Sequence, residues 1–519
     1  MKLEKKNKIM AIFITVAALM VLGGIGFAFF SSTVSNDNNE KVQTSTATMS
    51  LKFDDNDNGI SASLNLGESV TKKFTLENTG TVDAYGKINW YNLVNTYTVD
   101  SLTWTLEKST SENGTYTSVG SGKVPTSTTE TTKVLKNGLL VPVNTTYYYK
   151  LTITLNNLDI NQSSDINAHM NSKFSLSAGK KLGTDTIMEL VAGEPTNTTD
   201  VITKTAPQGS TCTNTFGYDG TVDNNLRYVG SNPCNYVTFN GEEAGWRIVG
   251  IMNNVDDGTG NKETRIKLVR KDSLGSYSWD TSESSVNSGE GVNDWTQADL
   301  KNELNGDYLN TSLNANTNWY NGINNKQTGV FDYKKRLNAA TQSLIGDAKW
   351  HLGGFIYRSN EDMIAAAMYT KERGTKVWGS TSGQTCNDGA CPRALFWTGK
   401  VALIYPSDYG YATAGGTTTS RSACIGNLTT SDNDSGESWT NSSYSNCKNN
   451  DWLKPSSYFN WVLSPESSYF WNTFAVLNSG DVSYTYAYYN FAVYPALYLK
   501  SDVSISEGNG SPENPYQLT

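Results

Sequence analysis

Histidine is nearly missing from this chain. His169 and His351 are the two in 519 residues, so chemistry that needs an imidazole as base or metal ligand has little to draw on. No Gly-x-Ser-x-Gly elbow and no phosphate-cradling glycine loop with lysine occurs, and His351, beside Trp350 in "KWHLGG", reads as a packed residue. Charge is sparse as well: 18% of residues are charged, the net charge is -9 and the pI is about 5.0. No basic stripe follows residue 8, which excludes nucleic acid as a partner, because phosphate backbones need clustered Lys and Arg. Cysteine is limited to six residues, Cys212, Cys234, Cys386, Cys391, Cys424 and Cys447. They form an even set in Ser/Asn/Gly-rich loops, the pattern of disulfides in an exported protein, and sequence proximity favours 212 with 234, 386 with 391 and 424 with 447.

What the chain does have begins at the N-terminus. Lys2, Lys5, Lys6 and Lys8 precede the uncharged run Ile9 to Phe30, long enough to cross a bilayer as a helix. The flanking charges place residues 1–8 in the cytoplasm and everything after the run outside. The length suits a transmembrane anchor, and the small-residue end "GGIGFAFFSST" suits a cleaved signal; both readings export residues 31–519.

After a linker over 31–46, short alternating runs such as "SVTKKFTLENTG", "SLTWTLEK" and "TYYYKLTITL" predict an all-β antiparallel sandwich over 47–178. Residues 179–211 read as a connector, with one short helix in "TDTIMELVAGE". The part from 212 to 519 holds every tryptophan except Trp90 and Trp104. Its apolar strands around Trp246 and Val269, a helix start with Thr296 as cap and Asp299 three residues on, a second helix in "SNEDMIAAAMYTKERG" and the strand-like "KVALIYPSDYGYAT" predict an α+β domain.

Two resemblances bear on these parts. "GGIGFAFFSST" followed by "LGESVTKKFTLENTGTVDA" is similar to the TasA and camelysin group of exported Gram-positive proteins, which implies cleavage by a dedicated signal peptidase near the aromatic end of the leader, and a capacity to form fibres. In the C-terminal part, "TVDNNLRYVGSNPCNYVTFNGEEAGWRIVGI", "NDWTQADLKNELN", "YPSDYGYAT", "WVLSP" and "YPALYLKSDVSISEGNGSPENPYQL" resemble a C-terminal domain of Gram-positive surface proteins. That resemblance implies a C-type-lectin-like, or formylglycine-generating-enzyme-like, fold for 212–519. Where such domains usually carry Gly-Val-Arg-Pro, this chain has Ala492-Val493-Tyr494-Pro495.

Candidate chemistry is thin. Paired carboxylates for glycoside hydrolysis need a defined separation in space, and no pair stands out in the sequence. "DDNDNG" offers Asp54, Asn56, Asn58 and Gly59 as the start of a calcium loop, yet position 12 is Asn65 rather than a bidentate Glu. A plain Asx-rich turn is the favoured reading, calcium the lesser one, and no other cofactor is expected.

The most distinctive stretch is "SYFWNTFAVLNSGDVSYTYAYYN", Ser468 to Asn490. It reads as a hairpin with Ala475 to Leu477 as one strand, Asn478 to Asp481 as the turn and Val482 onward as the other. Alternation then puts Tyr484, Tyr486 and Tyr488 on one outward face and Ser483, Thr485 and Ala487 inward, with packing of the tyrosines in the core as the alternative. The mixture of Tyr with Asn, Ser, Thr and Asp is that of a binding surface. The candidate contacts are Tyr469, Phe470, Trp471, Asn472, Phe474, Asp481, Tyr484, Tyr486, Tyr488, Tyr489 and Asn490. In the resembled lectin-like domains this terminal region is the ligand-binding face. Some relatives diversify it with a retroelement that mutates adenines, and between Ser467 and Phe491 only Trp471 falls outside what NNC codons encode. The expected protein is a non-enzymatic surface protein that binds a glycan or protein on a cell or host surface. The alternatives are a matrix or fibre subunit assembled through the sandwich and, third, a hydrolase.

Overall fold

A computed structural model describes residues 51–519 except 55–59, 63, 99–100, 159, 282–290, 323–326, 358–361, 375–392, 428, 430–437 and 440. The leader, most of the Asp54–Gly59 loop, Cys386 and Cys391 lie outside the described residues. Among the described residues no helix is long and apolar enough to cross a membrane. The chain forms two compact units, one through Lys181 and one from Leu182.

The first unit is two antiparallel sheets. One runs Leu51–Asp54, Ser69–Asn78, Thr146–Leu155, Leu102–Ser109, Thr117–Lys123, and the other runs Ile60–Ala62, Met170–Ala178, Ala84–Asn95, Ser127–Val141. Period-two alternation turns Leu76, Ile88, Trp90, Leu106 and Leu151 into one fully buried core, where Trp90 packs on Phe174 with ring centroids 5.3 Å apart. The expected turn at Asn78 is an Asx turn in which Asn78 Oδ1 accepts the Gly80 N–H at 2.9 Å.

The second unit is α+β around a ten-stranded sheet. Its long strands Glu242–Asp256 and Lys262–Arg270 pair antiparallel, placing Ile248 opposite Leu268, as the apolar runs predicted. Residues expected to form a connector are partly drawn into this unit: Gly183–Leu190 is a helix whose Ile187 is fully buried in the same core as Trp246 and Leu268. Two local expectations need correction. Thr296 does not cap a helix; its hydroxyl donates to Asp294 Oδ1 at 2.7 Å, and the helix starts at Asp299. "YPSDYG" is not a strand but the helix Pro406–Tyr411, started by proline in the first turn and by Asp408, whose Oδ2 accepts the Tyr405 N–H at 2.9 Å. Two of the expected disulfides are present, Cys212–Cys234 and Cys424–Cys447.

The centre of this unit is ionic. Lys267, fully buried, sits 2.5 Å from Asp408 Oδ2, with its Nζ 4.5, 5.2 and 5.3 Å from the ring centroids of Tyr405, Trp350 and Tyr498. Arg227 bonds Asp408 Oδ1 and, through Nε and Nη2, Asp219 Oδ2 at 3.2 and 3.1 Å. Beside them Glu372, also fully buried, accepts the Ser407 N–H at 2.9 Å and the Ser407 hydroxyl at 2.5 Å. All of these residues are buried.

Candidate functional site

The aromatic segment lies on a five-stranded sheet ordered Ser276–Ser278, Asn490–Ala492, Asn460–Pro465, Asn472–Val476, Val482–Tyr486, which makes Val482–Tyr486 an edge strand. The hairpin is real but longer in its first arm than predicted: Asn472–Val476 pairs with Val482–Tyr486 in the register Val476 opposite Val482 and Asn472 opposite Tyr486. Its turn closes with the Leu477 N–H on Asp481 O at 2.8 Å and uses Gly480 at φ +92°.

The strand ends at Tyr486, because Ala487 turns inward and donates its N–H to Trp471 O at 2.9 Å. Tyr488 therefore belongs to a turn and not to the alternation, although its ring still stacks on Tyr486 at 5.4 Å. Tyr484, Tyr486 and Tyr488 are each half-buried, neither core residues nor a freely exposed row.

Tyr469 and Tyr489, 45% and 43% exposed, and Asn490 are the most accessible of the proposed contacts, and Trp471 is half-buried. Four others are not at the surface. Phe474 is fully buried, stacked on Phe355 at 4.2 Å. Asn472 is buried, its carbonyl accepting the Glu466 N–H at 3.1 Å. Asp481 is buried in the turn, where its Oδ2 accepts the Ser479 hydroxyl at 2.8 Å; burial pushes its carboxyl up against that bond and nearby Lys448. Phe470 is buried too, its carbonyl accepting from Asn293 N–H at 2.8 Å and Arg393 Nη2 at 3.0 Å. These four shape the site from beneath.

The rings form two ladders. One runs Tyr357, Tyr484, Tyr469, Trp471, with centroid steps of 4.7, 6.4 and 5.5 Å. The other runs Tyr486, Tyr488, Tyr489, Phe491, Phe459, with steps of 5.4, 4.8, 6.4 and 5.2 Å. Tyr357, Phe459 and Phe491 were missed by the sequence reading, as was Tyr458, 67% exposed and next to Phe459. Phe459 and Phe491 stand at the margins of aromatic-rich runs and could have been flagged; Tyr357 carries no local signal.

Two buried side chains of opposite hydrogen-bonding character hold the tip of the first ladder. The Asn293 amide donates to three carbonyls of the loop, Glu466 O, Tyr469 O and Asn472 O, at 3.1, 2.8 and 2.6 Å. Glu466 accepts the Tyr357 N–H on Oε1 at 3.2 Å and the Ser468 and Tyr469 N–H groups on Oε2 at 2.8 and 3.0 Å. Burial pushes the Glu466 carboxyl up, against these donors. The Asn293→Ala variant removes the side-chain donor to those three carbonyls and leaves buried acceptors short, a loss of about 1 to 3 kcal/mol. Urea unfolding followed by tryptophan fluorescence measures it, and a variant as stable as the wild type would show that the clamp carries no weight.

The two histidines lie in different units. His169 is exposed, its Nδ1 3.4 Å from Thr96 Oγ1. Burial, with Arg373 and Lys349 adding, pushes His351 down to about 4, so it is neutral at physiological pH.

Residues 3–114 match the family model of the camelysin metallo-endopeptidases. No curated protein matches the chain. The match supports the camelysin-like, exported-protein reading of the N-terminal part, and it covers the leader and the first strands of the sandwich. The word metallo-endopeptidase implies a metal, and the described residues of the match offer no donor set for one. Residues 3–114 contain no histidine and no cysteine, and among the described residues no three His, Cys, Asp or Glu side chains are grouped to hold a metal ion.

Proposed function

We propose that the chain is a non-enzymatic binding or adhesion protein, exported and tethered at a cell surface, which recognises a glycan or a protein through the aromatic face of its second unit. The observation that carries this reading is the pair of ring ladders on and beside an edge strand, supported from below by Phe474, Asn293 and Glu466. Rigid aromatic area on a supported loop gives affinity at low entropic cost. The leader pattern and the camelysin match support export, and the disulfides agree with an oxidising compartment.

A matrix or fibre subunit is the second reading. It is favoured by the fifteen-residue edge strand Ser127–Val141 of the sandwich, whose first half is largely exposed and rich in threonine. The test that separates them is binding of the full chain to intact target cells. The Trp471→Ala/Tyr486→Ala double variant, folded by circular dichroism, is expected to lose binding; if it binds as the wild type does, the aromatic face is not the recognition surface.

A further inference from the structure

Resting on the binding reading above, we infer that the ligand is an uncharged linear polysaccharide, gripped along its length rather than by its end. Length is the first reason. One ladder sets four rings in succession, from Tyr357 to Trp471, and the other five, from Tyr486 to Phe459. An array of rings, each step 4.7 to 6.4 Å, offers successive contacts to the apolar faces of successive sugars, which a single terminal residue would not use.

Charge is the second reason. Between Ser467 and Phe491 the one carboxylate is Asp481, buried in the turn, and no Lys, Arg or His occurs. An anionic polymer would need cations along its path, and nothing in this stretch supplies them. The third reason is where the polar groups have gone. A site that reads a chain end is concave and aims several polar groups at it. Here the Asn293 Nδ2 and both carboxylate oxygens of Glu466 are taken up by backbone carbonyls and N–H groups of the loop and of Tyr357. Exposed Tyr469, Tyr489 and Asn490 offer hydroxyls and an amide at the surface, the balance suited to a neutral hydroxylated chain.

The experiment uses the full chain on immobilised neutral polysaccharides (a β-glucan, a mannan and a polymer of N-acetylglucosamine), on polygalacturonate and on a protein-coated matrix, at low and high salt. Soluble oligosaccharides of increasing length and the corresponding monosaccharides serve as competitors. Retention on at least one neutral polymer is expected, unchanged by salt because no exposed charge pair is involved, with competition that strengthens with oligomer length. Trp471→Ala or Tyr489→Ala should each weaken retention about tenfold and Trp471→Ala/Tyr486→Ala about a hundredfold. Retention confined to polygalacturonate at low salt or to the protein matrix overturns the inference. So does a monosaccharide that competes as well as its polymer, or no retention on any neutral polymer. The cell-binding result for the double variant judges the aromatic face separately: loss of cell binding without polysaccharide retention overturns the ligand class and leaves the face in place.

Discussion

Replacing Asp408 by Asn is expected to destabilise the second unit by about 3 to 5 kcal/mol, the largest effect of any single substitution considered, because it strips the partner from a buried charge. The reasoning follows the geometry. Asp408 faces two cations, Lys267 Nζ at 2.5 Å and Arg227, and all three side chains are 0 to 2% exposed. Against the upward push of burial, Lys267 and Arg227 hold the Asp408 carboxyl well below the usual carboxylate range, so it is ionised in the folded protein. Arg227 keeps its two bonds to Asp219 when Asp408 is neutralised. Lys267 loses its counter-ion and keeps a neutral amide oxygen and the ring faces of Tyr405, Trp350 and Tyr498, and burial already draws it down to about 8. The orphaned ammonium is thus the source of the cost. Asparagine preserves an acceptor for the Tyr405 N–H, which keeps the helix start intact. The Asp408→Asn/Lys267→Met double variant should recover most of the loss, since a buried pair replaced by apolar volume is often neutral. Guanidinium unfolding read by tryptophan fluorescence reports on this unit, which holds all the tryptophans but Trp90 and Trp104. A single variant within about 1 kcal/mol of the wild type would contradict the charge argument.

The same contrast between local and distant partners explains what the sequence made legible. Strands such as Ser69–Asn78 and Leu102–Ser109 declare themselves because alternate residues are apolar and end in the core. Thr117–Lys123 and Ser127–Val141 were not singled out: they are rich in Ser, Thr and Gly, and their pairing with Leu102–Ser109 and Ala84–Asn95 makes them strands. "VALIY" misled for the opposite reason. Its apolar run predicts a strand, but only Val401–Ala402 pairs before Pro406 and Asp408 begin a helix. The hairpin was visible from its alternation and turn residues, while the fate of each aromatic side chain was not. Phe474 is buried by Phe355 and the tip is fixed by Asn293, residues more than a hundred positions away in sequence. Alternation gives the face of a strand, and only the partners give its exposure.

Buried acids give the second large effect, and it runs opposite to ordinary acid denaturation. Burial pushes Glu372 up to about 7, against Arg373 and the Ser407 hydrogen bonds, from an ordinary value of 4.5. The folded state therefore holds this proton more tightly than the unfolded chain does. The stabilisation is complete below pH 4.5 and is lost as pH rises through 7, a difference of about 3 kcal/mol. Glu303 acts in the same direction over a wider window: burial pushes it up to about 9, against the Tyr320 N–H, with Asp299, Asp307 and Asp280 adding. His351, held down at about 4, works on the other side, since its contribution is present above 6.5 and is lost as pH falls through 4. Between pH 4.5 and 6.5 the two acids lose more than His351 gains, so the second unit should be most stable near pH 4.5 and lose stability by pH 8, below the range in which Lys267 regains its contribution. Glu372→Gln keeps the shape and both Ser407 contacts without an ionisable group. Its unfolding free energy should exceed that of the wild type at pH 8, match it closely at pH 5, and fall less between the two. Equal pH slopes for wild type and variant, by guanidinium unfolding, would mean that Glu372 is already ionised in the folded core across this range and that burial does not raise it.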